Sequence, residues 1–185
     1  FCNDGEKALV KEYVLSRDYK VLFGKGTLFA SPWYEAIPRT WFLSYDLFFE
    51  EGVIAEDVEW FSRLLDCVTD IICIESKFYV YRIRQGSISN TPTLKAIFGI
   101  EGHIEKMLSK QRLSPQEWRD CYLGEQTANF AIVLSRCTYP SIELEQYTRF
   151  FPLLRKAVRS RSKIIYILNQ IFGAKKTLSL LKKVG

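Results

Sequence analysis

The stretch Glu51-Gly52-Val53-Ile54-Ala55-Glu56-Asp57-Val58-Glu59-Trp60-Phe61-Ser62-Arg63-Leu64-Leu65 changes character at Glu56. From there Val58, Phe61, Leu64, Leu65 and Val68 recur at three- and four-residue intervals, the spacing of one helix face. A helix is predicted from about 56 to 67, with that stripe turned inward and Glu56 and Asp57 in its solvent-facing first turn. Free backbone N–H groups and the helix dipole are expected to keep both carboxylates ionised there. An adjacent carboxylate pair in that place suits a base that takes a proton from a hydroxyl. Acidic residues also favour first turns for purely structural reasons, so at this point both readings stand.

Working outward, the chain carries Ser31-Pro32-Trp33-Tyr34-Glu35-Ala36-Ile37-Pro38-Arg39-Thr40-Trp41-Phe42-Leu43 and Leu47-Phe48-Phe49-Glu50-Glu51-Gly52 upstream, and Tyr79-Val80-Tyr81-Arg82-Ile83-Arg84-Gln85-Gly86-Ser87-Ile88-Ser89 downstream. In this order and spacing the set resembles the carboxyl-terminal half of family 2 glycosyltransferases of the GT-A fold. Its elements are Pro-Trp, an Arg with a following aromatic, Phe-x-x-Gly, Glu-Asp, Arg-Leu and Tyr-x-Tyr-Arg-x-Arg-x-Gly-Ser-Ile, over about residues 31–90. The resemblance implies an α+β, mostly helical chain. Residues 1–92 would hold a small sheet belonging to the acceptor side of the catalytic domain, and residues 93–185 a helical layer.

The implied activity is inverting transfer of a sugar from a nucleotide-sugar donor to a glycan or lipid-linked acceptor, in bacterial surface polysaccharide synthesis. Asp57 would be the catalytic base. Glu56, Trp33 and Trp60 would bind the acceptor, the two tryptophans flanking the loop and helix that present Asp57. Replacing Glu59 by Gln in the full-length enzyme is expected to leave transfer nearly unchanged. In relatives an upstream nucleotide-binding half holds a divalent Mg or Mn ion through Asp-x-Asp. This chain contains no Asp-x-Asp, so no metal is assigned to it. Phe1 opens the chain and Met107 is its only methionine, so it is expected to be a fragment, inactive alone.

Strand candidates at 71–75 and 78–83 follow the helix. Alternation puts Arg82 and Arg84 on one strand face, where two guanidinium forks either bind a diphosphate or pair with Glu56, Asp57 or Glu59. Earlier, a helix near 6–15 and a strand near 20–23 precede Gly24-Lys25-Gly26, which lacks the spacing of a phosphate loop. A short helix is expected at 39–45. Ser114-Pro115-Gln116-Glu117 starts another reaching about Ser135, Pro140-Ser141 starts a third, and Pro152 interrupts it.

The 185 residues are 48% hydrophobic and 25% charged, enough for one good core. Five cysteines without a Cys-x-x-Cys argue against a disulfide scaffold or zinc site. His103, alone, is expected at the surface or at a helix cap rather than on a metal. Ten of the 26 basic residues and none of the 21 acidic ones lie after Glu145, interleaved with Ile and Leu. Residues 155–185 therefore either meet an anionic membrane surface or pack on the core. A cytoplasmic protein, peripheral at the inner face of the membrane, is expected. Nucleic acid is not, for lack of a basic sheet or helix-turn-helix, and an uncovered sheet edge would favour a homodimer. The alternative to an enzyme is a non-catalytic membrane-surface or protein-interaction helical module.

Overall fold

The computed structural model describes residues 13–16, 30–68, 71–74, 79, 80, 82, 93–109, 116–137 and 144–184. Their order is β1 (Tyr13–Ser16), a 3-10 turn (Pro32–Tyr34), α1 (Arg39–Ser44), α2 (Glu56–Cys67), β2 (Ile71–Ile74), α3 (Leu94–Ser109), α4 (Gln116–Arg136), α5 (Leu144–Thr148), a 3-10 segment (Phe151–Lys156) and α6 (Ser160–Val184). β1 and β2 form one antiparallel ribbon, with Tyr13 opposite Ile74 and Ser16 opposite Ile71.

This architecture is bundle-like and helical, which overturns the expected α+β fold with a GT-A sheet. A two-stranded ribbon is too small to organise a core, and helix-to-helix packing does that here. The strand expected at 78–83 is not formed at Tyr79, Val80 or Arg82. The helix expected near 6–15 gives way to β1 at Tyr13, because Tyr13, Val14 and Leu15 find a partner strand across the chain. The rest of that helix, the strand near 20–23, the Gly-Lys-Gly turn, Arg84 and the Ser114 and Pro140 helix starts lie outside the described residues.

α4 is the central element. Every residue from Cys121 to Ala128 is buried, so it has neighbours on all sides: α2, α3, the 3-10 segment and α6. Gly124 makes the tightest of these contacts possible. A Cβ there would stand 2.4 Å from the Ala157 nitrogen, in backbone that cannot swing aside. α3 begins at Thr93, whose Oγ1 accepts the Ala96 N–H at 3.2 Å. Ile97, Ile100, Ile104 and Met107 form its buried face. From α2, Trp60, Phe61, Leu64 and Leu65 enter the same core, so side chains from either side of residue 92 share one interior. Each large side chain of that kind contributes about 1.5–3 kcal/mol of burial.

α6 is two helical arms. Gly173 interrupts it at φ 73° and ψ 168°, a region only glycine enters readily. On a straight helix Arg161 and Val184 would stand about 35 Å apart. Both line one cavity of about 250 Å³, so the chain doubles back at Gly173. The tail packs on the core along one side, which is one of its two expected placements. Ser162, Ile165, Thr177 and Leu178 are buried, while Ile164, Ile167, Ile171 and Phe172 are exposed. Glu125 on α4 anchors the start of α6. Its Oε1 accepts the N–H groups of Val158 and Arg159 at 2.8 and 2.9 Å, and its Oε2 accepts the Ser162 hydroxyl at 2.7 Å. Among the described residues no helix is long and apolar enough to cross a membrane.

Candidate active site

Glu56 and Asp57 occupy the first turn of α2, as the hydrophobic spacing predicts. The approach to that turn is built by the tertiary structure. Gly52 has φ 74°, and Ala55, the residue before the helix, sits in the left-handed region at φ 61°. A non-glycine residue there costs about 1–2 kcal/mol, so something must hold it. His103 of α3 donates from Nε2 to the Ile54 carbonyl at 3.1 Å. One turn earlier Gly99 lets α3 press on the same group, since a Cβ at Gly99 would lie 2.7 Å from the Ile54 oxygen. Beyond the turn, the Tyr122 hydroxyl of α4 donates to the Val58 carbonyl at 2.8 Å. Two helices therefore clamp the backbone on both sides of the carboxylate pair. His103 is buried in this role, which corrects the expectation of a surface position.

The electrostatics of the pair also differ from expectation. Asp57 is half-buried, and burial, followed by the negative charge of Glu56, pushes its pKa from 3.8 up to about 6. Backbone hydrogen bonds, including the Val58 N–H to Oδ1 at 2.9 Å, only partly offset this. Desolvation outweighs the helix start, whose backbone N–H groups lower the pKa without cancelling the rise. At pH 7 Asp57 remains mostly ionised, yet it is a better proton acceptor than an ordinary aspartate.

Two residues further on, Glu59 shows the opposite balance. It is only 2% exposed, and burial alone would raise its pKa. Hydrogen bonds and charge from Lys106 and Arg63 reverse that and lower it. Arg63 Nε lies 2.9 Å and Lys106 Nζ 3.1 Å from the carboxylate. Lys106 also reaches Glu50 at 2.6 Å, and Arg63 donates to the carbonyls of Asp46 and Phe48. Glu59 is thus the hub that ties the loop from Asp46 to Glu50 onto α2 and α3, a structural role. The i, i+4 spacing to Arg63 was a visible signal. The link to Lys106, 47 positions away, was not.

Of the acceptor-binding candidates, Trp33 and Trp60 part company. Trp33 is 43% exposed and stacks on Tyr79 with ring centroids 6.0 Å apart, and Tyr34 meets the same ring edge-on at 6.0 Å. Trp60 is 2% exposed, packs against Phe49 at 5.5 Å and donates its indole N–H to the Leu47 carbonyl at 2.9 Å. It is a core residue with no face open to a sugar, because its helix position points inward with Phe61 and Leu64. Glu56 is exposed, as is Arg82, while Arg84 lies outside the described residues.

One carboxylate was passed over by the sequence reading. Glu35, half-buried after the Pro32–Tyr34 turn, has its pKa raised by burial to about 7. Its neighbours Trp33 and Tyr34 were the available hint. No group of three or more His, Cys, Asp or Glu side chains able to hold a metal gathers among the described residues. Cys67, Cys121 and Cys137 are in no disulfide bond.

No family model matches the chain, and neither the curated proteins nor the solved structures contain a match to it.

Proposed function

We propose that the chain is the acceptor-side part of an inverting glycosyltransferase, acting on a nucleotide-sugar donor and a glycan or lipid-linked acceptor, with Asp57 as its base. The observation that carries this reading is the proton affinity of Asp57: a half-buried carboxylate raised to about 6, on a backbone turn clamped by His103 and Tyr122. A general base works best when its pKa lies near the operating pH and its position is held in advance. The ordered motifs from Pro32 to Ser89 supply the reaction class, and the bundle-like architecture replaces the sheet they implied.

In the reaction Asp57 takes the proton of an acceptor hydroxyl as its oxygen bonds to the anomeric carbon. The bond from that carbon to the nucleotide diphosphate breaks, and its electron pair leaves on the phosphate oxygen. Arg82, exposed, suits charge neutralisation on that leaving group. Glu56 orients the acceptor, and Trp33 with Tyr34 and Tyr79 offers ring faces on which a pyranose stacks.

The test is transfer by the protein in its full natural length, supplied with a panel of sugar nucleotides and glycan or lipid-phosphate acceptors and read as nucleoside diphosphate released and product formed. Turnover lost in Asp57→Asn supports the reading. No turnover with any donor, or an Asp57→Asn rate within threefold of the parent, overturns it.

A further inference from the structure

Ten basic residues follow Glu145, and their surroundings separate them into two sets. Arg149 is engaged by Glu101 and Glu105, Lys156 by Asp120 at 2.7 Å, and Arg159 lies 3.9 Å from Glu125. The others, Arg155, Arg161, Lys163, Lys175, Lys176 and the Lys182–Lys183 pair, make no ion pair among the described residues. Six of these seven lie on α6 and are exposed.

The same helix leaves an apolar row uncovered. Ile164, Ile167 and Ile171 recur at helical spacing and are 57%, 52% and 65% exposed, with Phe172 beside them. Lys176 rests its ammonium 4.7 Å from the centre of the Phe172 ring. Ile164 also lines the cavity between the two arms, where Leu168, Leu180 and Val184 continue the apolar surface and Arg136 and Arg161 are the polar members. The packing of Ile165 and Leu178 on the opposite side means that the row is free while the hairpin is fully docked.

We infer that the outer face of the α6 hairpin docks on an anionic lipid surface. The isoleucine row and Phe172 enter the boundary between head groups and acyl chains, and the unpaired lysines and arginines meet lipid phosphates. A cationic face free of carboxylates complements that surface in charge, and its apolar row gives the buried area that phosphates alone would not reward. A polynucleotide would use the charges but leave the isoleucines in water. A second copy of the same face would bring like charges together. This inference stands on the tail alone and is independent of the role given to Asp57.

Removal of the tail is a poor test, because Ile165 and Leu178 belong to the core. The full chain is instead mixed with vesicles of phosphatidylcholine, with and without phosphatidylglycerol, and sedimented. Two variants are compared: Lys175→Glu with Lys176→Glu, Lys182→Glu and Lys183→Glu, and Ile164→Ser with Ile167→Ser and Ile171→Ser. All changed positions are exposed, and circular dichroism and thermal melting check the fold. Binding is expected only with phosphatidylglycerol and is expected to fall as salt rises. The charge variant should bind more weakly by roughly 10²-fold or more, at about fivefold per basic residue lost. The apolar variant should bind more weakly by at least tenfold, since three buried isoleucines are given up. Equal binding to neutral and anionic vesicles overturns the inference. So does vesicle binding unchanged in both folded variants, tighter binding to a DNA duplex than to vesicles at equal salt, or a stable dimer that the Ile→Ser variant dissolves.

Discussion

The start of α2 and the outer face of α6 treat charge in opposite ways. Around α2 the acidic groups are drawn into the protein: Glu59 is buried with two cations, and Asp57 is half-buried beside another anion. Along α6 the basic groups are left in water, and those that contact carboxylates cluster before its first full turn. The difference teaches where proton affinity can be tuned. Burial perturbs a carboxylate by an amount its partners decide, whereas an exposed lysine acts through its charge. α2 is also fixed from three directions, by Arg63, His103 and Tyr122, while the α6 hairpin is packed on one side. The first arrangement suits a reacting group and the second suits a surface.

The sharpest way to break this contrast is Asp57→Asn. Asn retains an oxygen for the Val58 N–H but cannot accept a proton, so transfer should fall by ~10²–10⁴-fold. The same change should make the fold more stable at neutral pH. The folded-state pKa of Asp57 lies above its ordinary value of 3.8, so its contribution is favourable below about pH 4 and is lost as pH rises through about 6. With discount for partial exposure, Asp57→Asn should gain about 1–2 kcal/mol at pH 7 and little at pH 4. Thermal melts at the two pH values, beside transfer rates, check both halves. Lower activity with lower stability would mean that Asp57 is only a structural helix start.

Next in size is Glu59→Gln. It takes the buried charge from Lys106, which keeps Glu50, and from Arg63, which keeps the Asp46 and Phe48 carbonyls, loosens the loop from Asp46 to Glu50, and should cost about 2–3 kcal/mol at pH 7. Because the Glu59 pKa is lowered, this loss should shrink as pH falls below the usual carboxylate range. Urea titrations at pH 7 and pH 3.5 decide it, and equal midpoints for parent and variant at pH 7 would remove the hub.

Gly124→Ala should cost about 1–3 kcal/mol, because the Ala157 backbone must retreat from the new methyl group. The expected result is a lower melting temperature with the α6 start more exposed to hydrogen exchange. The smallest effect belongs to Gly173→Ala, where the space is open but the backbone is not suited to a side chain, for about 1–2 kcal/mol. Its readout is hydrogen exchange in the second arm, and protection unchanged from the parent would mean that the reversal does not depend on glycine.

Local signals carried the helices far. The bounds of α2 follow from Val58, Phe61 and Leu64 and from the carboxylates ahead of them, whereas Pro152 interrupts no helix, since α5 ends at Thr148 and Pro152 stands at the start of the 3-10 segment. Where the reading failed, a distant partner decided the outcome. Tyr13, Val14 and Leu15 became a strand because β2 lies opposite, and the tyrosine-rich segment after β2 is not a strand at Tyr79, Val80 or Arg82. Trp60 looked like a sugar platform one helical turn from Asp57, yet the Phe49 ring and the Leu47 carbonyl hold it in the core.

The sequence by itself determined the helical stripes, the place of Glu56 and Asp57 at a helix start, and the segregation of basic residues into the tail, because periodicity and charge are properties of neighbours along the chain. Only the tertiary structure decided that Asp57 would hold its proton more tightly and Glu59 less, that His103 would be buried on Ile54, and that α6 would leave Ile164, Ile167 and Ile171 exposed on one face and bury Ile165 and Leu178 on the other. Those outcomes depend on desolvation and on partners tens of residues away, which no local pattern encodes.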